Sequence, residues 1–157
     1  MRYTTIGALF LTVLLSTTPS AVAGEHPTAP ALRRHTRIQL SAENDQGIFL
    51  GDRTHPQLGD RSIRNADLFT HDGTLVGTAE SVCTVVSVPP RDLHQWCLIT
   101  MSLDTGQIIF GGQTPAWAPG VSVTFAILGG TDTFRKARGE AIVSVTPTTF
   151  ETTIDLD

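Results

Sequence analysis

The chain has 157 residues, enough for one domain of ordinary size, with a formal net charge of −4 and only two cysteines. A mildly acidic chain with no basic block lacks the electrostatic footprint of a nucleic-acid binder. Five histidines, His26, His35, His55, His71 and His94, share no metal-ligand spacing, and no Gly-Lys-Ser/Thr of a phosphate loop follows Gly129-Gly130-Thr131.

The N-terminus reads as a targeting segment. Arg2 supplies a positive start, Ile6 to Leu15 is an apolar run too short to span a bilayer, and Ala21-Val22-Ala23 fits a cleavage site. Residues 1–23 are expected to be a secretory signal peptide, which makes the protein secreted and extracellular, with no stable membrane insertion after cleavage. Residues 24–36 hold two prolines and the basic Arg33-Arg34-His35, and read as a disordered leader to a single domain over 37–157.

Strand signals then recur, separated by turn signals. Arg37 to Glu43 alternates, with Ile38, Leu40 and Ala42 on one face. Residues 46–59 read as a loop rich in glycine. Arg61 to Phe69 is a second, more polar strand, closed by Thr70-His71-Asp72-Gly73, whose Asp-Gly pair is a hairpin cue. Leu75 to Val88 and Leu93 to Leu103 flank the turn residues Pro89-Pro90-Arg91-Asp92. Folding this pair about Pro90 sets position i opposite 180 − i, which brings Cys83 against Cys97. The hairpin and a cross-strand disulfide therefore predict each other, in a compartment that permits one.

Asp104-Thr105 turns the chain into Gln107 to Thr114. Pro115 to Gly120 is a loop holding Trp117. Val121, Val123, Phe125 and Ile127 alternate in a sixth strand; Gly129 to Arg138 is a glycine-rich crossing; Ala141, Val143 and Val145 alternate in a seventh; Thr148 to Leu156 closes the chain. Eight strands joined in series, with no amphipathic helix, argue an all-β antiparallel sandwich or a closed barrel. Trp96 and Trp117 read as rim or core packing, with exposed ligand platforms as the alternative.

The faces predict a pocket. The strand bearing Cys83 carries small residues on that face, Ala79 and Ser81 among them. The face of Cys97 carries Ile99 and Met101, and the next strand adds Phe110. Bulk on two strands facing small residues on a third leaves volume, and a barrel of about eight strands has room for one small ligand. Leu40, Ala42, Ala79, Ser81, Ile99, Met101, Phe110 and Phe125 are the expected ligand-binding wall.

Three segments carry a family resemblance. Gly59-Asp60 with Asp67-Leu68-Phe69 and Val76-Gly77 resembles one family pattern; Val82-Cys83-Thr84-Val85 with Gly106-Gln107-Ile108 resembles a second; Gly129-Gly130-Thr131-Asp132-Thr133-Phe134-Arg135-Lys136-Ala137-Arg138-Gly139 closely resembles the third and most specific. The chain thereby resembles the dirigent and allene oxide cyclase barrels, including small secreted bacterial members. The resemblance implies an eight-stranded antiparallel closed, calycin-like β-barrel with an apolar cavity, an occupant that is a small lipophilic molecule, and no cofactor or metal. It also implies an isomerase-like activity, the stereoselective cyclisation or coupling of that molecule, or else a non-catalytic lipophilic-ligand carrier or envelope-associated binding protein. Members are often homo-oligomers. Asp132 and Arg138 are the residues of the glycine-rich motif that the resemblance offers as catalytic. By strand parity, however, Arg138 points outward with Glu140. The chain departs from the cyclases in its first strand, where they carry an inward acid and asparagine and this chain shows Leu40 and Ala42, with Glu43 and Asp45 at the strand's end.

Overall fold

The computed structural model describes residues 36–157; the expected signal peptide and all but the last residue of the expected leader lie outside the described residues. Eight strands run in chain order: β1 (Thr36–Leu50), β2 (Arg61–Phe69), β3 (Leu75–Ser87), β4 (His94–Leu103), β5 (Gly106–Pro115), β6 (Ser122–Gly130), β7 (Gly139–Val145) and β8 (Phe150–Leu156), with one 3-10 turn at Asp132–Phe134. Each strand pairs antiparallel with the next, and β8 returns to pair with β1 from Ala42↔Phe150 to Thr36↔Leu156, so the sheet is a closed barrel. Closure decides between the two architectures the alternation allowed, and it leaves no free strand edge among the eight.

The central hairpin has the expected register. Ala79 faces Met101, Ser81 faces Ile99 and Cys83 faces Cys97, and the two cysteines form a disulfide with an S–S distance of 2.02 Å. The symmetry about Pro90 holds to Val85↔Gln95 and then shifts, with Ser87 opposite His94. The Pro89–Pro90 peptide in this turn is cis. One turn further, Met101 faces Ile108 and Ile99 faces Phe110, as a two-residue connection at Asp104-Thr105 requires.

Two expectations need correction. The segment after Glu43 is not a loop from residue 46: β1 continues to Leu50, pairing Gln46–Leu50 with Asn65–Arg61. A pairing partner, not local propensity, holds Gly47 in a strand. Second, Gly129 and Gly130 belong to β6, facing Ile109 and Ile108, so the glycine-rich crossing begins two residues later.

The core fills the barrel from inward-facing alternate positions. Leu68, Ile108, Phe110, Ala141 and Ile154 are fully buried, and Phe125 and Met101 nearly so. At the end carrying the β4–β5 turn, the barrel is sealed. Phe134 of the 3-10 turn is 8% exposed, Thr131 N donates to the Gln107 carbonyl at 2.9 Å, and Gln107 N donates to Thr131 Oγ1 at 3.0 Å. A Cβ on Gly130 would lie 2.2 Å from the Gln107 carbonyl and 2.8 Å from Phe134 Cβ, so only glycine lets the segment close this tightly.

Candidate active site: a cavity at the open end of the barrel

The site begins with a bulge in β1. Glu43 faces Asp67 and Gln46 faces Asn65, so Asn44 and Asp45 together oppose the single residue Ala66. A bulge of this kind reverses which side chains point inward. Before it, Leu40 and Ala42 are buried; after it, the position opposite inward-facing Arg64 is Gly47. A Cβ on Gly47 would sit 2.8 Å from Arg64 Cγ, so the glycine gives the arginine stem its passage. Arg64 shares its face of β2 with Ser62, Ala66 and the fully buried Leu68.

Arg64 Nη1 donates to Asp45 Oδ2, an ion pair whose side chains are 39% and 26% exposed. The guanidinium carbon also lies 5.8 Å from the ring centroid of Phe150. From Phe150 an aromatic series runs inward: Trp117 meets it edge-on at 5.9 Å, Phe125 lies 6.0 Å from Trp117, and Phe110 5.9 Å from Phe125. Such tilted and edge-to-face pairs are favourable ring geometries.

Between this series and the opposite wall lies a cavity of about 60 Å³. Its origin is readable in the register. Arg64, Ser81, Ile99 and Phe110 form one interior row, and Ala66, Ala79, Met101 and Ile108 the next. Ala66, Ala79 and Ser81 on the adjacent strands β2 and β3 are small, Arg64 being the one long side chain in these two rows on β2, while β4 and β5 carry bulk. Ala42, Ala79, Ser81, Ile99, Met101 and Phe110 line the cavity, with Asp45, Arg64, Trp117 and Phe150 also in its wall. Of the expected wall, Leu40 and Phe125 are buried in the core behind this lining.

Sequence reading noted Asp45 only at the end of the first strand and did not place Asp45, Arg64 or Phe150 at the site. Arg64 had a signal: its alternation with Ala66 and Leu68 places it on the inward face. Asp45 had none, because its direction depends on the bulge. The strand that seemed to lack an acid near the cavity therefore supplies one at its wall. Trp117 is packed against Phe125 and Phe150, whereas Trp96 is 51% exposed on the outer face of β4, neither rim nor core.

Asp132 and Arg138 lie elsewhere. Both are exposed, in the segment that seals the far end, and neither lines the cavity. Asp132 takes φ +48° at the start of the 3-10 turn, and Arg138 Nη1 donates to the carbonyl of Ala137 at 2.7 Å. The outward direction expected from parity with Glu140 matches this placement.

What the arrangement can do follows from its materials. Apolar and aromatic walls hold an organic skeleton, and the guanidinium offers planar donors to a carbonyl, phenolate or carboxylate at the mouth. The Asp45 carboxylate can accept a proton or a hydrogen bond there.

Comparison with protein families matches residues 36–155 to the model described as "Allene oxide cyclase barrel like domain". Comparison with curated proteins finds no match. Among solved structures, a pyocyanin demethylase is 29% identical with a TM-score of 0.68, covering 78% of this chain and 100% of that one. An exo-specific intermolecular Diels-Alderase is 17% identical, with a TM-score of 0.65 over 78% of this chain and 98% of that one. A Diels-Alderase from Streptomyces koyangensis is 14% identical, with a TM-score of 0.63 over 78% and 63%; the last two likenesses bear on the fold alone.

Proposed function

Since the chain belongs to the allene oxide cyclase barrel-like family, we propose that it is an exported barrel that takes a small lipophilic molecule with one polar head into its cavity and controls that molecule's cyclisation or coupling. The observation that carries this reading is the interior asymmetry: Ala66, Ala79 and Ser81 on β2 and β3 beside bulk on β4 and β5, with the Asp45–Arg64 ion pair at the cavity wall. The 29% identical demethylase, matched over its whole length, supports a small organic molecule as the occupant.

On this reading the apolar part enters between Ala79, Met101 and Phe110, and the polar head meets Arg64. The cavity is small, about 60 Å³, so the rest of the molecule lies against Trp117 and Phe150. Catalysis is positional. A reactive substrate held in one conformer gains several kcal/mol from orientation alone, and Arg64 stabilises negative charge that develops on the substrate oxygen. Ring closure in an already reactive substrate rearranges its own bonds and calls for no cofactor. The ion pair itself favours a second reading: with Asp45 engaged by Arg64, the protein could carry or shield the molecule without transforming it.

The test is occupancy of the cavity. Titration with N-phenyl-1-naphthylamine, a neutral apolar fluorophore, is expected to give saturable enhancement with the native protein. Ala79→Phe fills the cavity and should abolish that signal at a folding cost of at most about 1–3 kcal/mol, because empty space tolerates added volume better than a close-packed core does. An unfolded Ala79→Phe protein, or a native protein that binds no probe, would mean that the interior is simply packed.

A further inference from the structure

The interior of the barrel does not end at Arg64. Toward the open end two further interior rows follow, Phe49, Ser62, Cys83 and Cys97, then Val85 with Gln95. A second chamber of about 430 Å³ lies here, and Asp45, Arg64 and Trp117 stand in its wall as well as in that of the inner cavity. The two spaces border each other at the ion pair. The inner one, about 60 Å³, has room for a few heavy atoms. The outer one falls within the range of about 300–1,000 Å³ in which small organic ligands are held. Most of an occupant's body belongs in the outer chamber.

The charge of this chamber differs from that of the chain as a whole, which is net −4. Arg53, Arg64 and Asp45 are the charged residues of its wall. Two permanently charged guanidiniums thus face one carboxylate, and Arg64 already engages it. Among the described residues Arg53 has no acid at ion-pair distance. The acids of its own loop are occupied with backbone N–H groups: Asp52 accepts from Thr54 N at 2.8 Å and His55 N at 3.2 Å, and Asp60 from Gln57 N at 2.9 Å.

The loop is built to hold Arg53 in place. Gly51 takes φ +139°, and the Asp60 carboxyl carbon lies 2.2 Å from where a Cβ on that glycine would be. Gly59 N donates to the Val85 carbonyl at 2.9 Å, and Val85 N to the Asp60 carbonyl at 2.8 Å, which ties the loop to β3. The Arg53 guanidinium carbon stands 5.8 Å from the centroid of the Phe49 ring, a cation–π distance. A charge positioned before any ligand arrives lowers the ordering cost of binding.

Unbalanced positive charge in a wall that otherwise holds Phe49, Val85, Leu93 and Trp117 fits an anion carried on a hydrocarbon body. We propose, building on the reading of the cavity as a ligand site, that the outer chamber receives the occupant's polar head, that this head is a carboxylate, and that Arg53 selects it. Arg53 and Arg64 share the head, Ser62 and Gln95 offer it a hydroxyl and an amide, and the apolar end points inward past Trp117.

Displacement of N-phenyl-1-naphthylamine by 2-naphthoate and by its neutral isostere 2-naphthamide tests this. The native protein should prefer the naphthoate about tenfold, the scale of a hydrogen bond to a charged group. Arg53→Met should weaken naphthoate by about that factor and change the amide less than about twofold. Arg53 is exposed, so the thermal melt should not move. Arg53→Lys should restore part of the preference. Asp45→Asn, which frees Arg64, should tighten naphthoate and leave the amide unchanged, a response that a structural role for either residue would not produce. If the fluorophore binds but the native protein prefers neither isostere, or Arg53→Met weakens both alike, the carboxylate subsite is overturned while the cavity reading stands. If millimolar sulfate displaces naphthoate, the chamber is a general anion trap and the assignment is likewise overturned. If no probe binds, the cavity reading itself falls and takes the subsite with it.

Discussion

At the end of the barrel that carries the β4–β5 turn, the chain folds over itself. Phe134 is 8% exposed, Thr131 is bonded to Gln107, and Gly106 and Gly130 admit backbone at distances that no Cβ would allow. Toward the other end stand Arg64 and Asp45, still 39% and 26% exposed as side chains, beside Trp117 and Phe150 and the cavity that they border. One end is closed by apolar packing and main-chain hydrogen bonds, and the other is left open around a charged pair. The difference teaches that the segment with the most specific sequence motif is the sealed one. A motif of glycines reports a close backbone approach, and here that approach closes the barrel.

The sharpest way to break this comparison is to open the sealed end. Phe134→Ala should cost about 3–5 kcal/mol in denaturant unfolding, the range for truncating a buried phenylalanine. A loss below 1 kcal/mol would mean that the plug is dispensable. Next comes the disulfide, whose Cys83 lines the cavity. Replacing both Cys83 and Cys97 by serine should cost roughly 3 kcal/mol from the loop-closure term, and intact-mass analysis of the native protein with alkylation should find two thiols only after reduction. Equal stability of the native and replaced proteins would show that the hairpin holds this register without the bridge.

The paired arginines sharpen the contrast further. Arg64→Met should change folding stability by no more than about 1 kcal/mol, since the pair is partly exposed and screened, yet it should weaken ligands with a carboxylate or phenolate head about tenfold or more. Arg138→Met should leave both quantities nearly unchanged. Binding titrations of a naphthoate probe against both variants decide it, and the reverse pattern would return Arg138 to the site. The smallest expected effect is in the β2–β3 turn. Thr70 and Thr74 donate hydrogen bonds to Asp72 and hold its carboxyl below the usual carboxylate range. A group with a depressed folded-state pKa contributes stability above its unfolded pKa and loses it as pH falls through the folded value. Asp72→Asn should therefore flatten the acid limb of the stability curve slightly, read as a smaller difference between melts at neutral and acidic pH.

Much of the molecule was legible in the chain. The alternation of Ala79, Ser81 and Cys83 against Ile99, Met101 and Phe110, with two prolines between, specified the register, the disulfide and the asymmetric wall, because strand period and turn chemistry are local properties. The family resemblance added closure of the sheet. Arg64 was within reach of the same parity argument but stood in a strand that read as polar. Gln46–Leu50 was not within reach, since glycine-containing backbone becomes strand only when β2 pairs with it.

The sequence by itself thus determined which side chains share a face wherever strands run unbroken, and so determined a barrel interior with small residues on one side and large on the other. Only the tertiary structure decided what stands at the cavity wall. The extra residue between Glu43 and Gln46 exists only relative to the partner strand, and by shifting the parity of β1 it brings Asp45 to Arg64 and sets Gly47 beneath the arginine stem. Pairing across the sheet, which no single strand encodes, is the physical reason that the charged pair had to be seen in the fold.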